Sequence, residues 1–131
     1  MAVTFNETTR QLLDGRNFAT VATLNADGSP QTSVVWVQRD GDKVLFSTTA
    51  ARLKARNIAR DSRVSISIFA TENPYRTIEI RGTAELTEDR DRTVQRAISH
   101  KYMGQDPPAE SADVVRVVVR VTPERIVEFN A

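Results

Sequence analysis

The 131-residue chain has the length of one domain, and its 18 Lys and Arg residues nearly balance its 17 Asp and Glu residues, which argues against an extended nucleic-acid surface. It contains no cysteine and one histidine, which excludes a disulfide framework, a thiolate metal site and a multi-histidine metal site within one chain. The start of the chain lacks a signal-peptide pattern, and no apolar run reaches the roughly 20 residues that span a bilayer. We therefore predict one domain over residues 1–131 that is cytoplasmic and binds neither membranes nor nucleic acids.

Turn residues and alternating apolar residues divide the chain into short elements. In chain order they predict a helix over 5–15 capped by Asn6 or Thr4, strands over 18–24, 30–39 and 43–47, a basic helix over 52–60, strands over 64–68 and 75–86 separated by a loop at 70–74, a helix over 89–103, and a strand over 114–129 interrupted near Thr122-Pro123. Gly82 lies inside a strand, which indicates a bulge or the close approach of another backbone segment. Six antiparallel strands without a βαβ rhythm predict a mainly β fold, a small barrel with a few covering helices.

Residues 46–60 combine the end of an apolar strand, a turn with three hydroxyl side chains at 47–49 and the start of a basic helix that contains Arg52 and Lys54. Unpaired N–H groups and the positive dipole at a helix start favour a bound anion, and Arg and Lys side chains add charge. This pattern indicates a phosphate site. A solvated basic helix without a ligand is the alternative, because a run of charges alone is usually a solvated face.

Three segments carry a resemblance to a known family. They are Ala-Thr-Val-Ala-Thr-Leu-Asn-Ala-Asp-Gly-Ser-Pro-Gln at 19–31, Val-Leu-Phe-Ser-Thr-Thr with Arg-Leu-Lys-Ala-Arg-Asn-Ile between 44 and 58, and Ile-Arg-Gly-Thr-Ala-Glu-Leu at 80–86. In this order they resemble the split β-barrel flavin-binding superfamily, which includes the pyridoxamine 5′-phosphate oxidases and the deazaflavin-dependent reductases. The resemblance covers nearly the whole chain and implies a homodimer with two cofactor sites at the subunit interface.

The resemblance also implies which residues hold the cofactor. The phosphate region would be held by Ser47, Thr48, Arg52, Leu53 and Lys54. The tricyclic ring would lie along the second strand, at Gln31, Ser33, Val34, Val35 and Trp36. The opposite subunit would contribute Tyr75 and Arg76. Trp36 has an alternative role as part of an apolar dimer core, and Ser33 as an outward-facing strand residue.

Two related coenzymes fit this description, the deazaflavin F420 and FMN. The Arg-x-Lys-x-Arg-Asn order at 52–57 and the Gly-Ser-Pro-Gln-x-Ser strand at 28–33 look more like the deazaflavin-dependent group. The chain also lacks the C-terminal arginine and histidine segment by which the pyridoxamine 5′-phosphate oxidases hold their substrate. Further cations at Arg56 and Arg60 would suit the longer anionic tail of F420. F420 is therefore favoured, with FMN as the alternative.

The function that the resemblance implies is hydride transfer between F420 and an electron-poor small molecule. The alternatives are an FMN-dependent oxidoreductase like the pyridoxamine 5′-phosphate oxidases, and a protein that binds a flavin or a tetrapyrrole without turnover. Because the coenzyme carries the difficult step, few catalytic side chains are expected, and none is assigned. Tyr75 is a weak proton-donor candidate, and His100 is expected to be a surface or helix-capping residue rather than a catalytic one.

Overall fold

The computed structural model describes residues 3–130, which form seven strands and three helices. In chain order the elements are α1 (Glu7–Asp14), β1 (Ala19–Leu24), β2 (Pro30–Val35), β3 (Gln38–Asp40), β4 (Lys43–Thr49), α2 (Leu53–Arg60), β5 (Arg63–Ala70), β6 (Asn73–Glu88), α3 (Thr93–Met103) and β7 (Arg116–Asn130). The mainly β prediction is confirmed. The count of six strands is wrong, because the strand predicted over 30–39 breaks at Trp36 and Val37 into β2 and β3.

All strands form one antiparallel sheet in the order β2-β1-β5-β6-β7-β4-β3. The two edge strands, β2 and β3, follow each other in the chain, separated only by Trp36 and Val37. Two residues span a short distance, so the sheet must curl round to bring its edges together. Within the described residues no ladder joins β2 to β3, and the curled sheet is therefore not closed.

The core lies inside this curl and is built by the alternation of each strand. In β5 the side chains of Val64, Ile66 and Ile68 are buried, whereas the intervening Ser65 and Ser67 are not. Leucine side chains of α1 and Ile58 of α2 join the same apolar cluster. The two helices therefore cover openings of the curled sheet, and α2 is held in place by its buried face.

Gly82 allows β6 and β7 to approach more closely than any other residue would. The register of this pair shifts between Arg81 and Gly82, and a Cβ atom added at Gly82 would lie 2.1 Å from the carbonyl oxygen of Thr122. The predicted close approach is confirmed. Because the shift is absorbed within the ladder, β7 continues through Thr122 and Pro123, and the predicted interruption of the last strand is wrong.

Asn6 caps α1 by accepting a 2.9 Å bond from the Thr9 N–H, which confirms one of the two predicted caps. Two element boundaries differ from the sequence prediction. The loop expected at 70–74 shrinks to the two-residue turn at 71–72. The helix expected from residue 89 begins at Thr93. Asp89 lies in the loop before it, and its carboxylate accepts the N–H of Gln95 in the first turn of the helix at 3.0 Å. No helix within residues 3–130 has the length and apolar character needed to cross a bilayer.

Candidate functional site

A pocket of about 630 Å³ opens where the sheet edge, the start of α2 and the face of α3 meet. Such a volume is in the range of small-molecule and cofactor sites. It brings together seven of the residues predicted from the sequence: Val34, Val35, Trp36, Ser47, Thr48, Arg52 and Lys54. The three hydroxyl side chains at 47–49 all contribute to its wall.

One end of the pocket is basic and rich in donors. The chain leaves β4 at Thr49 and turns into α2, where Arg52 is the N-cap residue and lacks a capping bond from any side chain that the structure describes. The first N–H groups of a helix have no intrahelical partner, so they stay available at this end. Arg52 and Lys54 both line the wall here. The donor set is that of an anion site.

Lys54 is held by a neighbouring strand rather than by a carboxylate. Its Nζ atom donates to Ser33 Oγ at 2.9 Å, which accounts for Ser33 without placing Ser33 itself in the pocket wall. Partial burial, assisted by the charge of Arg52, lowers the pKa of Lys54 below its usual 10.5. An anion bound beside Lys54 would offset both effects, because a nearby negative charge favours the ammonium form.

Arg56 and Arg60, which follow Arg52 at intervals of four residues and form a cationic stripe with it in the sequence, do not reach the pocket wall formed by the described residues. Arg60 instead donates to the Leu24 carbonyl and, at 3.2 Å, to Asn57 Oδ1. It therefore fastens α2 to β1. A different arginine, Arg116 of β7, lines the pocket and donates to Ser47 Oγ at 3.3 Å. The structure thus replaces part of the expected stripe by a residue from the last strand.

One aromatic side chain among the described residues, that of Trp36, lines the pocket. Trp36 stacks on Tyr102 of α3, with ring centroids 5.1 Å apart and planes 5° from parallel. The Tyr102 hydroxyl donates to the Asn17 carbonyl at 2.6 Å and accepts the Val37 N–H at 3.1 Å. Burial raises the pKa of Tyr102, so its hydroxyl stays protonated at neutral pH. The break between β2 and β3 is therefore fixed by one buried side chain, which also supports Trp36.

The sequence analysis missed the wall contributed by α3 and the loop that follows it. This wall contains Gln95, Ile98, Ser99 and Met103 of the helix and, from the loop, Gln105, Asp106, Pro107, Pro108 and Glu110. Gln95 and Ser99 are buried polar residues four positions apart, which places them on one helix face. Two uncharged polar residues on an otherwise apolar helix face were the signal that was available in the sequence.

Five residues of the predicted set lie outside the pocket wall: Gln31, Ser33, Leu53, Tyr75 and Arg76. Gln31 accepts a 2.9 Å bond from the Thr23 hydroxyl. Leu53 and Tyr75 are exposed, and Arg76 donates to Gln11 Oε1 at 2.9 Å. Whether Tyr75 and Arg76 complete the pocket of a second subunit stays a prediction. His100 is a surface residue whose ring lies 2.6 Å from Asp106.

Comparison with known proteins gives the family. Residues 5–130 match the family model described as pyridoxamine 5′-phosphate oxidase, and the chain therefore belongs to that family of oxidoreductases. A pyridoxine/pyridoxamine 5′-phosphate oxidase of Kineococcus radiotolerans is 35% identical over 91 residues, which cover 70% of this chain and 37% of that protein. The chain thus matches little more than a third of the length of this curated relative.

Solved structures give the same fold. An F420 reductase is 32% identical with a TM-score of 0.84, and the match covers 94% of this chain and 98% of that chain. A conserved hypothetical protein from Mycobacterium tuberculosis is 22% identical with a TM-score of 0.79, covering 98% of this chain and 86% of the other. At that identity the second likeness concerns the fold alone.

Proposed function

We propose that this protein is an F420-dependent oxidoreductase that transfers a hydride between the deazaflavin and an electron-poor small molecule. The observation that carries the proposal is that one pocket joins a basic, donor-rich end to an aromatic wall, with Arg52 and Lys54 at the first and Trp36 in the second. A coenzyme with a phosphate at one end and a flat ring at the other has matching chemistry. The likeness to an F420 reductase over 94% of this chain supports the same choice.

The residues present fit such a coenzyme. Among residues 3–130 the ammonium group of Lys54 has one hydrogen-bond partner, Ser33 Oγ, so two of its three N–H donors remain for an anion. The start of α2 offers backbone N–H groups, and the hydroxyl groups at 47–49 add neutral donors. The half-exposed face of Trp36, supported from behind by Tyr102, offers a rigid surface for a ring. We propose that these groups bind the phosphate and orient the ring.

The coenzyme, when bound, supplies the hydride chemistry, and the protein contributes position and exclusion of water. Arg52 and Lys54 anchor the charged end, which fixes how far the ring extends along β2. Trp36, Ile98 and Met103 present apolar surface around the pocket, which keeps water from that side of the ring. No side chain is assigned as a proton donor.

We further propose that the protein works as a homodimer, as expected from its family. Thr77 of β6 is flanked in the sheet by Phe69 of β5 and Phe129 of β7, and both phenylalanine side chains are exposed. An exposed apolar patch of this kind indicates an association surface. Tyr75, which is also exposed, lies two residues before Thr77 in β6, next to Arg76. We propose that a second copy binds at this patch.

An FMN-dependent oxidoreductase is the second candidate, favoured by the family match over residues 5–130 and by the Kineococcus relative. Parallel titrations with F420 and FMN, followed by a hydride-transfer assay with a panel of conjugated acceptors, distinguish the two. The proposal predicts saturable, tighter binding of F420 and acceptor-dependent oxidation of the reduced coenzyme. Tighter binding of FMN would replace the coenzyme, and binding without faster oxidation would leave a carrier protein instead of an enzyme.

A further inference from the structure

Gln95 of α3 is a buried polar residue in the wall of the pocket. Its side chain is only 8% exposed, and it lies one helical turn before Ser99 on the face that borders the pocket. The proposed binding of the phosphate and the ring does not use it. A buried amide needs hydrogen-bond partners for both its N–H₂ group and its carbonyl oxygen.

The orientation of this amide is fixed by Glu110. Gln95 Nε2 donates to Glu110 Oε1 at 2.8 Å, and the same oxygen accepts bonds from Arg116 at 2.8 Å and Arg92 at 3.1 Å. These neighbours, Arg116 first, lower the pKa of Glu110, so its side chain is an ionised acceptor. An amide turned the other way would set its oxygen against a carboxylate oxygen. Gln95 Oε1 must therefore point away from Glu110.

Oε1 itself is closed to solvent and accepts no hydrogen bond from any group in residues 3–130. An acceptor left in this state is unfavourable, so a ligand in the pocket gains affinity by supplying a donor once a small movement of the Gln95 side chain exposes Oε1. The donor must be uncharged or cationic, because an oxyanion would be repelled by Oε1 and by the Glu110 carboxylate behind it. A phosphate, ionised at neutral pH, cannot serve.

We propose that Gln95 is a specificity-determining residue whose Oε1 accepts a hydrogen bond from a hydroxyl group of the polyol chain that joins the ring of the coenzyme to its phosphate. The assignment to the polyol rests on the proposed function and on position. Gln95 is connected through Glu110 and Arg116 to Ser47, at the predicted phosphate end. The group that follows a phosphate towards the ring in such a coenzyme is a hydroxyl-bearing chain.

The first test uses wild-type protein and two phosphorylated ligands, 5-deaza-FMN and a 5-deazaflavin whose polyol is replaced by a pentyl chain of the same length that ends in the same phosphate. Binding is followed by quenching of the fluorescence of Trp36, the one tryptophan of the chain. We expect the pentyl ligand to bind on the order of tenfold or more weakly, the usual scale for one buried hydrogen bond left unmade. Equal affinities would overturn the inference while leaving the proposed function intact, whereas no binding of either ligand would contradict both.

The second test replaces the acceptor. Gln95→Met keeps the length of the side chain, and it should weaken binding of 5-deaza-FMN on the order of tenfold but change binding of the pentyl ligand less than twofold. Gln38→Met is the matched control, because Gln38 Oε1 is also buried without a donor in the described residues but lies outside this pocket wall. That control should bind both ligands like the wild type. Equal weakening of both ligands by Gln95→Met would refute the polyol contact, because the loss of the Gln95–Glu110 bond alone would affect both alike.

Discussion

Removing the ammonium group of Lys54 should weaken the binding of phosphorylated ligands selectively. Lys54→Met keeps most of the apolar stem but loses the donors that face the pocket. Two N–H groups remain after the bond to Ser33, and a hydrogen bond to a charged group contributes about 1.5–3 kcal/mol. Because Lys54 is still partly exposed, solvent screens its charge and the lower part of this range applies, which is a loss of roughly 10- to 30-fold in affinity.

The assay compares FMN with riboflavin, which differ only by the phosphate, and F420 with 5-deazariboflavin, which lacks the whole anionic tail. Quenching of Trp36 fluorescence reports binding in all four titrations. Lys43→Met is the matched control, since Lys43 lies at the far end of β4 and donates to Thr122 Oγ1. Equal losses for both members of a ligand pair would show that Lys54 acts through the structure and not through the phosphate. Unchanged affinities would move the anion site elsewhere.

The same lysine gives a pH dependence with a definite sign. Burial and Arg52 lower the pKa of Lys54 below 10.5 in the free protein, and a bound phosphate raises it again because it favours the ammonium form. By linkage, the complex binds more protons than the free protein around that lowered pKa, so affinity falls as pH rises through it. As pH rises through the lowered pKa of Lys54, FMN or F420 should lose affinity while riboflavin and 5-deazariboflavin do not. A persistent slope in Lys54→Met would refute this origin.

Two further predictions concern the scaffold. Gly82→Ala should lower the free energy of unfolding, measured in urea, by about 3 kcal/mol or more, because the new Cβ would meet the Thr122 carbonyl oxygen at 2.1 Å. The control Gly104→Ala adds its Cβ to open space at φ 72° and should cost only about 1–2 kcal/mol. Equal costs of the two substitutions would contradict the close-contact explanation. Tyr102→Phe keeps the ring that supports Trp36 but leaves two buried backbone groups without their partner. It should lower the free energy of unfolding by about 1–3 kcal/mol in urea while ligand binding is retained. Loss of binding at unchanged stability would contradict this structural role.

Local sequence patterns predicted much of the fold because they arise from neighbouring residues. Alternation of isoleucine and serine over 64–68 is a direct consequence of a strand with one buried face, and Gly82 is required where two backbones touch. The break after β2 could not be predicted in this way. Val-Val-Trp-Val reads as one continuous strand, and what ends it is a bond between the Val37 N–H and Tyr102, 65 residues further along the chain.

In the candidate site, too, residues that are close in sequence could be predicted and residues brought together by distant contacts could not. The hydroxyl groups, Arg52 and Lys54 lie together because they are close in sequence and share one strand-to-helix turn. The wall formed by α3 was missed because Gln95 reaches the pocket only through the packing of α3 and through Glu110, 15 residues away. Arg116 lies 69 residues from its partner Ser47, a contact that no local pattern encodes.

The central claim is that the turn after β4 anchors the phosphate of a deazaflavin in each of two paired subunits. Native mass spectrometry of the protein incubated with F420 tests it most directly, because one spectrum reports both the number of subunits and the number of coenzymes. We expect a dimer that carries two F420 molecules, and a dimer of Lys54→Met that loses them at the same coenzyme concentration. A monomer, or a dimer that takes up no F420 at concentrations where it takes up FMN, would contradict the account.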